Sequence, residues 1–212
     1  MTGTLLYNQV KAKVTTPPAG LVISVSDVKE HIVVETHEED DLIERFIEMA
    51  TDYAERYTGR RFLSTGVTYY LDQLPNSDNV AIELPAHNVS AVSSVQYKSS
   101  GSLTTWGSSN YYIDEHAASL RVLPVSSWPS IDKRGFNNVQ ITLVDGYGLA
   151  ADVPDAIKTG IVLIVGDLYR NRENTVIGTI AAELPMGAKT FLDKYRVVYR
   201  NDYGLQSSQG AY

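Results

Sequence analysis

The stretch from Asp152 to Glu173, DVPDAIKTGIVLIVGDLYRNRE, constrains the fold of this chain more than any other. It reads as a helix, and from Thr159 to Gly166 it carries no charge while Gly160 and Gly166 interrupt the apolar run. A helix with so little polar surface has to be covered on nearly all sides. The run falls far short of the roughly 20 apolar residues that span a bilayer. Lys158 and Asp167 close it at both ends, so no membrane span is expected. Each glycine costs up to about 1 kcal/mol relative to alanine inside a helix. That loss is offset where a bare backbone lets another helix come close. Gly160 and Gly166 face different directions, which implies two neighbours. The cover is either the remainder of the helix's own domain or a second copy of the chain, and both stay open. Asp152 is read as the N-cap, with Pro154 near the first helical position, where its missing N–H costs nothing.

A second helix is legible in EEDDLIERFIEMATDYAERYTGR. Leu42, Ile43, Phe46, Ile47, Ala50, Tyr53, Ala54 and Tyr57 form one apolar stripe at helical spacing. Acidic residues crowd its first turn, where the helix dipole favours them, and Gly59 stands at the C-cap position. Before it, SVSDVKEHI predicts a short helix capped by Ser26; near the end, LPMGAKTFLDKY predicts another that starts at Pro185. Between Val67 and Val144 the period changes to that of strands. VTYYLDQL, VAIEL, VSSVQYK, YYIDE, SLRVL and NVQITLV are short, β-branched or aromatic, and separated by turn residues. They predict about six antiparallel strands joined by hairpins, ended by a tight turn at Asp145–Gly148.

The expected class is therefore α+β, a small helical bundle with an inserted antiparallel β-rich module. The expected layout is an extended arm over 1–22, a first helical part over 23–66, the β-rich insertion over 67–148, a second helical part over 149–195 and a tail over 196–212. The arm, punctuated by Pro17, Pro18 and Gly20, lacks the apolar segment of a signal peptide, so secretion is not expected.

Reactive clusters are hard to find. The chain has no cysteine, and His31, His37, His87 and His116 are scattered without metal-binding spacing. HEEDD (His37–Asp41) lacks the alternation of a calcium loop and is explained by the helix dipole. No phosphate-binding glycine loop or nucleophile elbow is present in the sequence. No reaction, cofactor or metal is assigned, and the expectation is a protein that is not an enzyme. The net charge of −7 does not favour nucleic acid. RYTGRRF (Arg56–Phe62) and Arg170–Arg172 cluster cations, but both lie at helix C-termini, where cations oppose the dipole.

The order of the pieces resembles the head–tail connector proteins of tailed bacteriophages and related gene-transfer particles. The resemblance runs over about residues 23–198. It rests on the short helix before DDLIERFIEMATDYAERYTGRRF, then LPAHNVSAVSSVQY leading into YYID, then VDGYGLAADVPDAIKTGIVLIVGDLYRNRE and ELPMGAKTFLDKYRV. It implies a structural adaptor in the virion neck, made in the cytoplasm of a bacterial host. Such adaptors form a ring of commonly about twelve copies under the portal, extend the DNA channel and dock the tail or stopper. The implied partners are further copies of the chain, the portal protein and a stopper or tail protein. Genomic DNA passes through the lumen without specific binding, and no membrane is involved. Candidate ring-interface residues are Gly160, Ile164, Gly166, Asp167, Arg170 and Arg172. Candidate portal-docking residues are Arg196, Tyr199, Arg200, Tyr203 and Tyr212, because the C-terminal segment of such connectors engages the portal. Tyr97, Tyr111 and Tyr112 are either contacts of the β module or half-buried sheet residues. A stopper or tail-completion protein, or a non-enzymatic binding module, is the alternative reading.

Overall fold

A computed structural model describes residues 10–114, 119–132, 134–171 and 185–197. The chain divides into two compact units, one of residues 1–19 and 63–147, the other of 20–62 and 148–212.

The second unit is helical. Its described residues hold α1 (Val25–Ile32), α2 (Asp40–Thr58), α3 (Asp155–Arg170) and α4 (Met186–Asp193). Ser24 caps α1, its hydroxyl accepting the Asp27 N–H at 3.1 Å. The cap thus lies two residues before the expected Ser26, which sits inside the first turn. Helix α2 buries Ile43, Phe46, Ile47, Ala50 and Ala54, the inner part of the predicted stripe, and ends at Gly59 in the left-handed conformation, whose N–H bonds the Glu55 carbonyl. Asp152 does not cap α3. Its carboxylate instead accepts the Leu149 N–H at 2.9 Å and closes a short 3-10 turn, and Pro154 takes the cap position of α3.

The first unit is antiparallel β. Its strands are β1 (Lys11–Thr16), β2 (Thr65–Leu71), β3 (Ile82–Leu84), β4 (Val89–Ser99), β5 (Ser102–Trp106), β6 (Tyr111–Asp114), β7 (Leu120–Pro124) and β8 (Val139–Asp145). They form a sheet ordered β1-β2-β8-β4-β5 and a second one ordered β3-β7-β6. The inner side chains of both sheets build one core, with Val67, Tyr69, Leu71, Ile82, Leu84, Val95, Val122, Ile141 and Leu143 buried. The fold class is α+β, as expected.

All six predicted strands are present, and two more join them. Within the stretch expected as an extended arm, Lys11–Thr16 pairs with β2. Strand β5 pairs with β4 across a turn in which Ser100 and Gly101 have φ of 53° and 78°. Asp132 holds that turn, its carboxylate accepting both N–H groups at 2.9 Å. At the close of β8, Gly146 has φ of 127°, and a Cβ there would stand 2.2 Å from the Leu63 carbonyl oxygen. Only glycine fits that position.

Candidate functional site

The apolar helix α3 is covered by its own polypeptide. Ile157, Ile161 and Val165 are fully buried, and Val162 and Ile164 nearly so. Gly160 lets α4 approach: a Cβ there would lie 3.1 Å from Leu192 Cγ, with the Ala188 carbonyl oxygen 3.6 Å away. Gly166 faces α1, where His31 and Ile32 would be 3.9 Å from an added Cβ. Gly187 makes the reciprocal concession on α4, facing Leu163 at 3.3 Å. The two neighbours inferred from the glycines are real, but they are α4 and α1 of the same chain. Gly160, Ile164 and Gly166 are thus removed from the candidate ring surface, because all three are buried within their own unit. Asp167 and Arg170 are exposed on the last turn of α3, where Asp167 accepts the Asn171 side-chain N–H at 3.0 Å. Arg172 lies outside the described residues.

The root of the C-terminal segment is tied to the end of α2. Tyr57 donates to Asp193, the Arg60 Nε–H donates to the Tyr195 carbonyl at 2.7 Å, and the Val197 N–H donates to the Thr58 carbonyl at 2.8 Å. The exposed Arg196 guanidinium lies over the Tyr57 ring, 5.3 Å from its centre. Burial, then the bond to Asp193, pushes the Tyr57 hydroxyl up to about 12, so it stays a neutral donor. Of the portal-docking candidates, Arg196 is therefore exposed at a fixed point; Tyr199, Arg200, Tyr203 and Tyr212 lie outside the described residues.

The same contacts account for the RYTGRRF cations. Arg56 pairs with Asp52 at 3.0 Å and Arg61 with Glu55 at 3.2 Å. Glu55 also accepts the Phe62 N–H at 2.8 Å, and burial raises its carboxyl above the ordinary range despite these bonds. This corner ties the end of α2 to the chain that leaves it; its cations are engaged by carboxylates, a carbonyl and an aromatic ring.

HEEDD is engaged in the same way. Asp40 accepts from the buried Lys29 ammonium at 2.7 Å and bonds His37 Nδ1 at 2.9 Å, which couples α1 to the start of α2. The Lys29 bond first, then the His37 bond, holds the Asp40 carboxyl below its ordinary value. Glu39 accepts from the Tyr169 hydroxyl of α3. Sequence reasoning missed Lys29, which looks like a solvated surface residue at its position in α1. A groove of the helical unit, lined by Ile23, Asp27, His31, Asp155, Lys158, Thr159 and Val162, brings Lys158 to 3.6 Å from Asp155 but assembles no nucleophile with a base. Among the described residues no cluster of three or more His, Asp or Glu is placed to hold a metal, and no helix is long and apolar enough to cross a membrane. In the β unit, Tyr111 is buried with its ring 5.2 Å from Trp106, Tyr97 is half-buried, and Tyr112 is 60% exposed.

These side chains lock helices and turns to one another within a fold of one helical and one antiparallel β unit. That fold recurs in gene transfer agent (GTA) particles. A chain in the neck of an empty GTA particle, computed with C6 symmetry, superposes with a TM-score of 0.75 at 19% identity, covering 92% of this chain and 99% of that one. A chain in the virion of a native GTA particle gives 0.73 at 20% identity, covering 90% and 97%. One in the neck of a native particle, computed with C12 symmetry, gives 0.72 at 19%, covering 92% and 99%. No curated protein matches the sequence. Residues 22–122 match the family of phage gp6-like head-tail connector proteins. That match spans just under half of the chain, and over it the sequence is similar to head-tail connector proteins. The matched segment runs from before α1 into β7, so the Val144–Glu173 block, although part of the sequence resemblance, lies beyond it.

Proposed function

We propose that copies of this chain close into a ring in the neck of a phage-like particle. The ring sits beneath the portal, continues the DNA channel and presents the surface on which a tail or stopper docks. The observation that carries this reading is the near-complete coverage of GTA chains, two of them in necks computed with C6 or C12 symmetry. Such a role asks for rigid units and for surfaces that partners can reach. The helical unit supplies both, with its core closed by its own helices and a cation exposed at the root of its C-terminal segment.

The C-terminal segment is the proposed portal anchor. Arg196 begins it from a fixed position, and Tyr199, Arg200, Tyr203 and Tyr212 continue it with aromatic and cationic groups of the kind that anchor interfaces. Asp167 and Arg170, exposed at the end of α3, are proposed to face a neighbour in the ring; Arg172 is proposed with them. Truncation after Val198 tests the anchor. The shortened chain is expected to keep its thermal stability and lose co-sedimentation with portal. Undiminished portal binding would remove the segment from the interface.

A further inference from the structure

The loop that leads into β8 is fixed at several points yet holds an aromatic ring out into water. The buried Asn138 donates its side-chain N–H groups to the Asp72 and Asp132 carbonyls at 3.0 and 3.1 Å. The Asp72 carboxylate accepts the Asn137 N–H at 2.7 Å, and Lys98 donates to the Phe136 carbonyl at 3.0 Å. Phe136 is nevertheless 74% exposed, with the Lys11 ammonium 5.4 Å from its ring centre and Arg134 exposed two residues away. A ring presented by a preformed loop binds with little further ordering cost, and aromatic anchors carry much of the energy of protein interfaces. The helical unit has a seat for such a ring. Its groove between α1 and α3 has a volume of about 300 Å³, with Ile23 and Val162 as apolar lining and Asp27, His31, Asp155 and Lys158 around them. Charges are mixed on both surfaces. The loop carries Lys11, Lys98 and Arg134 against Asp72 and Asp132, and the groove carries Asp27 and Asp155 against Lys158, with His31 beside them. Asp72 is taken by Lys11, Asp132 by the Ser100 and Gly101 N–H groups, and Asp155 by Lys158. Arg134 and Asp27 make no ion pair among the described residues.

We propose that in the ring Phe136 of one copy seats in this groove of the next copy, with Arg134 reaching Asp27. This rests on the ring reading and adds the contact that builds it. The apolar lining and the size of the groove select a ring as the occupant, and the chain itself supplies one on a rigid loop. The open pair of opposite charge sets the orientation, since an exposed ion pair adds little affinity by itself. A knob and a hole at different places on one molecule make a head-to-tail contact. Such a contact repeats from copy to copy and closes into a ring when the rotation allows.

The chain has no cysteine, so introduced cysteines report this contact directly. Chains carrying R134C and chains carrying D27C are mixed, assembled on portal and treated with a short bismaleimide. A cross-linked pair of the two chains is expected, and neither chain alone is expected to give one. F136A removes the knob, and T159W fills the groove from an exposed position. Each is imaged with portal after a check for an unchanged thermal midpoint, and each is expected to lose rings; where a midpoint shifts, the cross-link decides. If wild type forms no ring, the ring reading and this contact fall together. If wild-type rings form and the mixed chains give no cross-link, or if either folded variant forms rings as wild type does, the contact alone is wrong. An R134C/D27C chain that cross-links within itself in the absence of portal would put Phe136 in its own groove and overturn the contact as well.

Discussion

A methyl group added at Gly160 would press on Leu192, which is itself fully buried and has nowhere to retreat. At Gly166 the same methyl meets α1 at ordinary contact distance. The two glycines of one helix therefore respond in opposite directions. Gly166→Ala is expected to stabilise the chain by up to about 1 kcal/mol, the helix-propensity gain alone. Gly160→Ala is expected to destabilise it by about 1–3 kcal/mol, the usual cost of overpacking a filled core. Urea unfolding of both variants checks this; a stabilising Gly160→Ala would show that α4 does not lie where the structure puts it. The need for close approach at these glycines was legible in the sequence, but the identity of what approaches was not. Spacing gives the direction in which a bare backbone faces, not whether the neighbour belongs to the same chain. Ser24 shows a similar limit: SVSDV offers two serines at the helix start, and only the backbone angles decide which one caps.

At the scale of elements, the long apolar stripes were the most legible part, because burying one face of a helix imposes its period on the sequence. Helix α2 and the six predicted strands follow from that. Strands β1 and β5 leave no such mark. They lie at the two edges of their sheet, every side chain of β1 is exposed, and β5 buries Trp106 alone. Edge strands held by backbone bonds need no alternation. The join between α1 and α2 was equally hidden, since Lys29 and Asp40 are separated by a turn whose path the sequence does not state. That join carries a pH prediction. Asp40 is held below its ordinary value of 3.8, by Lys29 first and His37 next. Its contribution is therefore present above that ordinary value and is lost as pH falls through it toward the folded value. Asp40→Asn is expected to lower the thermal midpoint at neutral pH, because the buried Lys29 ammonium loses its counter-charge. It is also expected to flatten the fall in midpoint between about pH 5 and pH 3. An identical acid profile in the variant would assign the transition to other carboxylates.

The whole molecule carries a net charge of −7, and acidic residues crowd α1 and α2. A ring of such chains would multiply that charge around its channel. A basic lumen would hold duplex DNA by releasing counterions, whereas an acidic one lets it slide. The isolated chain is expected not to retain duplex DNA at about 0.15 M salt, and tight retention in a gel-shift assay would contradict a passive conduit. Among the described residues, the carboxylates and cations that cluster are engaged in holding helices and turns together. Function therefore had to be read from the order of elements rather than from a site, and that order matched a family before any geometry was known. The α3 argument for assembly did not survive, since the apolar side chains of the helix are buried within its own unit; the connector reading rests on the family match over residues 22–122 and on the shared fold instead. Electron-microscopic imaging of the chain bound to its portal tests it most directly. Copies arranged as a closed ring coaxial with the portal channel are the predicted result; single copies bound off the axis, or no association at all, would contradict it.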